Sequence, residues 1–302
     1  MTATIKNQNF GVEIEMNNIS RAGAQRVVAK VLGSNETGCR SSYDNHYVID
    51  QKGREWKCES DSSIASRGRG TCEVVTPVLQ YEDLELLQEV IRALRADGAK
   101  VDSSCGIHIH VDGANHTPKS IRTMLKLFVG RQDLFFEALD NLSRADRWCR
   151  KMPKSLLKAM NECNDLTRDA LESIWYSPAN DGYCGGIDHS HYNYTRYHGM
   201  NVHAFFTKGT IEFRLFNSTL HAGKIKAYIQ FVLAVSAWSI NEQDSKVVFR
   251  SMDGYTPEKK VTLMYHFLTR RLGLGGHEYD TCRLHMMTII KKHAGINQRH
   301  AA

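Results

Sequence analysis

No stretch of this 302-residue chain approaches the roughly 18 consecutive apolar residues a membrane helix needs. The most apolar run, near Tyr228 to Ile240, is too short and is interrupted by Gln230, Ser236 and Ser239. Residues Met1 to Asn9 hold no apolar signal core, so a cytoplasmic protein with no membrane partner is expected. Proline is scarce, at five residues, and no Pro-rich linker, low-complexity tract or internal repeat marks a seam. One domain with insertions, over residues 1–302, is therefore expected. The eight cysteines, at 39, 58, 72, 105, 149, 163, 184 and 282, form no Cys-x-x-Cys pair, which speaks against a structural zinc knuckle. Without an export signal they read as free thiols in a reducing compartment. A Walker A loop and a Gly-x-Ser-x-Gly elbow are also missing, which counts against the common phosphate-loop and serine-nucleophile enzymes. The formal charge of +6 suits anionic ligands such as nucleotides but is too diffuse to demand nucleic acid, which is neither required nor excluded.

What is present begins with Phe10-Gly-Val-Glu-Ile-Glu-Met16. In a strand, Glu13 and Glu15 point to one face and Val12, Ile14 and Met16 to the other. Two adjacent carboxylates raise each other's pKa unless something positive lies between them, and a hard divalent cation resolves the conflict. The plainer reading is the wet face of an antiparallel sheet.

Further along, Arg21 to Leu32 has amphipathic helical spacing with Ser20 as its cap, and Gly33 to Asn45 is turn-rich. Tyr47 to Asp50 and Glu55 to Cys58 bracket a hairpin turn. Asp61-Ser62-Ser63 follows: either a simple Asx turn, or a ligand (Asp61) beside a substrate hydrogen-bond donor (Ser62). Arg67 and Arg69 lie in a glycine-rich loop expected to be mobile. Glu73 to Pro77 reads as a short strand, and Tyr81 to Ala96 as a helix ended by Gly98. Cys105 to Asp112 repeats the design of the first strand, with His108, His110 and Asp112 alternating with Ile107, Ile109 and Val111. Pro118 to Leu142 is expected to be helical, and Leu156 to Ile174 to hold one or two helices. Tyr176 to His198 is a long polar loop carrying Arg196 among tyrosines, a length often tied to function. Asn201 to Phe216 is expected to be a β-hairpin, with Glu212 and Arg214 on one face and Ile211, Phe213 and Leu215 on the other. That Glu–Arg pair is either a surface ion pair of little consequence or an acidic ligand beside a phosphate-binding arginine. His221 to Ile240, Thr256 to Leu272 and Glu278 to Lys292 read as helices.

Four segments thus share one pattern, with aliphatics on one side and Glu, His, Asp or Arg on the other. They offer Glu13, Glu15, Asp61, Glu73, His108 and Glu212, with Arg196 and Arg214, to one concave face of an antiparallel sheet. Five carboxylates on one face require cations, and oxygen-rich ligation favours Mg2+ or Mn2+ over zinc. Several such ions with arginines suit the phosphates of ATP.

In order, the motifs Phe-Gly-Val-Glu-Ile-Glu, Trp56 to Ser62, Glu73-Val-Val-Thr-Pro, Cys-Gly-Ile-His-Ile-His-Val and Thr-Ile-Glu-Phe-Arg-Leu-Phe resemble the amidoligase family, over about residues 9–220. The helical part from about 221 to 302 carries no matching motif. That family belongs to the carboxylate–amine ligase superfamily of glutamine synthetase and glutamate–cysteine ligase. The resemblance implies an α+β fold, a curved antiparallel sheet flanked by helices, binding ATP and two or three Mg2+ ions. It implies that Glu15, Asp61 and Glu73 hold the substrate-side ion, and Glu13, His108 and Glu212 the phosphate-side ion. Arg214 matches an arginine that contacts the transferring phosphate, and Arg196 corresponds to a further phosphate arginine; His110 matches a position next to the ligand histidine, where it either contacts phosphate or packs. The implied activity joins a carboxylate to an amine (amino acid, peptide, polyamine or modified polymer) through an acyl phosphate. Other classes fit the same residues: a metal-dependent phosphotransferase or hydrolase, or a nucleotide-binding protein without catalysis.

Overall fold

The computed structural model of the chain describes residues 2–40, 44–243, 252 and 254–296. Along these residues run β1 (Phe10–Asn17), α1 (Arg21–Leu32), β2 (Thr37–Arg40), β3 (Asn45–Ile49), β4 (Glu55–Glu59), β5 (Thr71–Val75), α2 (Leu84–Ala96) and β6 (Gly106–Asp112). There follow α3 (Pro118–Val129), α4 (Gln132–Ala138), α5 (Lys154–Glu162), α6 (Arg168–Trp175), β7 (Met200–Asn201), α7 (His203–Thr207), β8 (Thr210–Asn217), α8 (Ala222–Asn241), α9 (Pro257–His266) and α10 (Asp280–His293). The fold is α+β, and β1–β5, β2–β3, β3–β4, β4–β5 and β7–β8 all pair antiparallel. No helix among the described residues is long and apolar enough to cross a membrane. None of the eight cysteines is joined in a disulfide. The chain forms two compact units, one of Lys6–His110 and Phe216–Ile229, the other of Met1–Ile5, Val111–Leu215 and Gln230–Ala302.

In the first unit the strands lie in the order β2-β3-β4-β5-β1-β6. Val12, Ile14 and Met16 are fully buried at a period of two, which is what holds β1 as a central strand. α1 starts where Ser20 Oγ accepts from the Gly23 N–H, and ends at Gly33 in the left-handed region at φ 60°. It packs on α2 and on β3, β4 and β5. The β3–β4 turn is built by Asp50, whose carboxylate accepts from the Lys52 and Arg54 backbone N–H groups at 2.9 Å each. Arg54 then bridges Asp50 and Asp83, and Trp56 Nε1 donates to Asp50 at 3.2 Å. The stretch read as turn-rich also contains β2, whose residues are largely exposed and so show no apolar alternation; residues 41–43 lie outside the described residues. Arg67 and Arg69 pair with Asp102 and Asp97 at the surface.

The second unit is mainly helical. Its core includes Phe128, Phe231 and Phe267 around Phe135, with ring centroids 5.3–5.7 Å apart, each pair worth about 0.5–1.5 kcal/mol beyond area burial. The helix expected over Pro118 to Leu142 is broken at Gly130–Arg131 into α3 and α4. The long loop after α6 is pinned internally. Asn193 accepts from the Thr195 N–H at 2.9 Å, and Trp175 Nε1 donates to Thr195 Oγ1 at 3.0 Å. The expected hairpin over Asn201 to Phe216 is corrected in its first arm, where only Met200–Asn201 is a strand and α7 intervenes before β8. Consecutive Phe205 and Phe206 explain this. A strand would send them to opposite faces, whereas in the helical turn Phe205 packs under Arg168 and Phe206 against Tyr176. α9 runs on into a π-helical turn, Phe267–Arg271.

Candidate active site

In the first unit, β1 lies between β5 and β6. Register sets Glu15 directly opposite Glu73, and Glu73 directly opposite Glu59 on β4. Three carboxylates therefore line one face in a row, an arrangement that like-charge repulsion opposes. His108 reaches over β1, with Nδ1 2.9 Å from Glu13 Oε2 and Nε2 3.7 Å from Glu15 Oε1. One imidazole touching both carboxylates places Glu13 and Glu15 on the same face, as the two-residue spacing predicts. His110 Nε2 lies 3.2 Å from Glu13 Oε1. The Gly106 N–H donates to Glu15 Oε2 at 2.6 Å and fixes that side chain.

Electrostatics divides these residues. Burial raises the Glu13 pKa, but His110 and His108 beside it outweigh burial and hold the carboxyl well below its ordinary value. Glu73 has the opposite fate. Burial, then the charges of Glu13, Glu15, Asp61 and Glu59, push it well above its ordinary value. Oxygen or nitrogen atoms of Glu15, Glu73 and His108 all lie within 4.8 Å of one another, a spacing that suits one shared ion. Two carboxylates and an imidazole, with Glu73 set among negative neighbours, fit a hard divalent cation. Asp61 follows β4, and its Oδ1 accepts from the Ser63 N–H at 2.6 Å, so the Asx turn is real. The Asp61 charge also acts on Glu73, and Ser62 is exposed on the same loop.

In the second unit, Glu212 and Arg214 alternate on β8, with Arg214 Nη1 2.6 Å from Glu212 Oε1. Both are buried, at 3% and 4% exposure, which overturns the surface-pair reading. An ion pair withdrawn from water needs further hydrogen bonds to offset desolvation. Asn201, in register with Glu212, supplies one, its Nδ2 donating to Glu212 Oε2 at 2.6 Å. The Arg214 guanidinium lies 5.8 Å from the Tyr197 ring centroid, and that of Arg196 5.5 Å from the same ring. Arg196 Nη1 donates to the His191 carbonyl at 2.6 Å, which ties it to its own loop.

Sequence reasoning passed over Glu59 and Asn201. Glu59 carried a signal, because Glu55, Lys57 and Glu59 alternate along β4 at period two. Asn201 carried none, since its role depends on a two-residue strand paired with β8.

The family described as "Putative amidoligase enzyme" matches residues 6–236. The chain belongs to this amidoligase family. No curated protein sequence matches the chain. The matched span covers both the β1–β6 carboxylate and imidazole residues and the Glu212–Arg214 pair, and it identifies an enzyme of ligase type.

Proposed function

We propose that this amidoligase is an ATP-dependent carboxylate–amine ligase that forms an amide or isopeptide bond through an acyl phosphate, on a glutamine synthetase-like and glutamate–cysteine ligase-like fold. The observation that carries the reading is the direct opposition of Glu15 and Glu73 beside His108, with their ligand atoms within 4.8 Å. An acidic pair of this kind, one member buried and one half-buried, is stabilised by a divalent cation, and Mg2+ is the cation that accompanies ATP. Glu15, Glu73 and Asp61 would hold a Mg2+ ion, whose role when bound is to neutralise charge on phosphoryl oxygens. His108, whose Nδ1 lies 2.9 Å from Glu13 Oε2 and whose Nε2 lies 3.7 Å from Glu15 Oε1, is assigned with Glu13 to metal binding. Arg214, Arg196 and His110 are assigned to phosphate oxygens, Ser62 to the substrate, and Glu212 to metal binding, as the family likeness implies.

In the proposed reaction an oxygen of the substrate carboxylate attacks the γ-phosphorus and ADP leaves. The amine nitrogen then attacks the acyl carbon, and inorganic phosphate departs with that carboxylate oxygen. Activation is needed because a free carboxylate is a poor acyl donor.

The test is turnover with ATP, Mg2+ and a panel of amino acids, peptides and polyamines. The expected result is ADP and phosphate only when an acid and an amine are both present. With 18O-labelled carboxylate, one label should appear in the released phosphate. A stable phosphorylated product would instead identify a phosphotransferase, and turnover without ATP a hydrolase. Nucleotide binding without turnover across the panel would indicate a binding protein, and loss of nucleotide binding with Mg2+ present would overturn the reading.

A further inference from the structure

The first unit carries a second group of metal-ligating side chains, built from Cys39 on β2, His46 on β3 and Asp44 just before it. A thiol, an imidazole and a carboxylate atom of these residues lie within 4.8 Å of one another. We propose that Cys39, Asp44 and His46 form a zinc site that clips the β2 edge strand to β3 and α1.

Strand register brings the first two together. Cys39 and His46 are direct antiparallel partners, and such partners project side by side from the same face. The position of this face follows from the next pairings. His46 is opposite Cys58, whereas Glu59, one residue further along β4, is opposite Glu73. Alternate residues face opposite ways, so the Cys39–His46 pair and the Glu59–Glu73–Glu15 row lie on opposite faces of the sheet. The new site is therefore separate from the carboxylates assigned to catalysis.

The hydrogen bonds around His46 show why a cation belongs there. Gln25 Nε2 donates to two backbone carbonyls, those of Gly38 at 2.8 Å and Tyr47 at 2.9 Å. Carbonyls only accept, so the amide nitrogen must be on that side, and Gln25 Oε1 must face His46 Nδ1, 3.0 Å away. Nδ1 then donates to Gln25, and Nε2 is the ring nitrogen that faces Asp44 Oδ1, 2.9 Å away. Either a proton on Nε2 or a cation shared by the two atoms satisfies that contact, and the Cys39 thiol within 4.8 Å of both supplies the third donor that a shared metal cation needs. Arg21 cannot be that cation for both, because its Nε and Nη2 are engaged by Asp44 Oδ2 at 2.9 and 2.7 Å.

Gln25 and Arg21 therefore have the roles that outer partners play at metal sites, one fixing the histidine tautomer and the other orienting the carboxylate. One sulfur, one nitrogen and one oxygen donor suit Zn2+ and not Mg2+, with a fourth position left to solvent. As zinc binds, the Cys39 thiol releases its proton to solvent and the thiolate sulfur forms the bond. Cys39 and Asp44 are exposed, so the ion enters without unfolding the strand.

The experiment titrates the reduced, chelator-treated full chain with Co2+ and then Zn2+ in excess Mg2+. The expected result is one tightly held ion per chain and a thiolate-to-cobalt charge-transfer band in the near ultraviolet, which zinc abolishes. C39S should lose the band, H46Q should weaken Zn2+ binding by at least about tenfold, and Q25A by about 10–100-fold. E73Q, on the other face, should keep the band. A cobalt complex without the band, or C39S and H46Q variants that bind Zn2+ as tightly as the parent chain, would overturn the proposal and leave His46 as a protonated partner of Asp44.

Discussion

Two acidic groups in the first unit, one buried and one half-buried, have opposite electrostatic outcomes. Around Asp50 and Asp83 the chain supplies its own cations. Arg54 bridges both carboxylates, and Lys52 Nζ reaches Asp83 at 2.9 Å. Burial alone would raise the Asp83 carboxyl, but Arg54, the Gln80 N–H and Lys52 depress it far below its ordinary value. Around Glu73 the charges that follow burial in importance are Glu13, Glu15, Asp61 and Glu59, all of one sign, and the carboxyl is driven up. The same chain that neutralises Asp83 internally leaves Glu73 among anions. That contrast separates an acidic cluster used for structure from one suited to an external cation.

The strongest way to break the comparison is to neutralise one member of each cluster. Glu73→Gln should lower ligase kcat/KM by about 10^2–10^3-fold, the range for losing one charge-stabilising group at a reacting centre. It should leave unfolding free energy unchanged or raised, since it relieves repulsion. Asp83→Asn should do the reverse, costing about 1.5–3 kcal/mol through the charged hydrogen bonds that Arg54 makes to Asp83, while activity per folded molecule holds. Denaturant unfolding beside ADP release measures both; a destabilised E73Q with full activity would erase the distinction.

A smaller effect is expected in the pH dependence of the two clusters. Asp83 has a depressed folded-state pKa, so its contribution is present above the ordinary aspartate value and is lost as pH falls below about 4. The stability gap between the parent chain and D83N should therefore close in acid. Glu73 has a raised folded-state pKa, so stability without metal falls as pH rises above the ordinary glutamate value of about 4.3. Glu13, held low, is already ionised there and does not share in that fall. Mg2+ should restore what Glu73 loses, adding about 2.7 kcal/mol at a hundred times Kd, and at a fixed Mg2+ concentration the gain should grow with pH as Glu73 ionises. Thermal unfolding with and without Mg2+ reads this, and a pH-independent Mg2+ effect that persists in E73Q would place the ion elsewhere.

The contrast also shows what could be read from residues alone. The alternation of Val12, Ile14 and Met16 with Glu13 and Glu15 is a local property, and it gave the strand and its two faces directly. The helices α1 and α2 were equally legible, because caps and apolar spacing lie within each segment. The opposition of Glu15 and Glu73 was not, since it depends on which strands pair and in what register. β2 was invisible because an exposed edge strand needs no apolar alternation. The Glu212–Arg214 pair was visible as a pair, but its burial depends on packing contributed by the rest of its unit.

The finest comparison lies within β1 itself. Glu13 is held by two imidazoles and kept ionised, whereas Glu15 is fixed by the Gly106 N–H and stands opposite Glu73. If Glu13 serves the phosphate side and Glu15 the substrate side, their amides should fail differently. Glu13→Gln should raise the KM for ATP more than that for the amine, because the ionised carboxylate that His108 and His110 orient is lost. Glu15→Gln should leave ATP binding nearer the parent value and slow amide formation, because its carboxylate would share a cation with Glu73. The expected separation is modest, about tenfold between the two ratios or roughly 1.4 kcal/mol, since the residues are two apart and both touch His108. Steady-state kinetics with each substrate varied in turn, beside direct ATP binding, resolves a difference of that size. Identical defects in both variants would mean that the two carboxylates act as one unit and that the division of labour along β1 is wrong, while the cluster itself would stand.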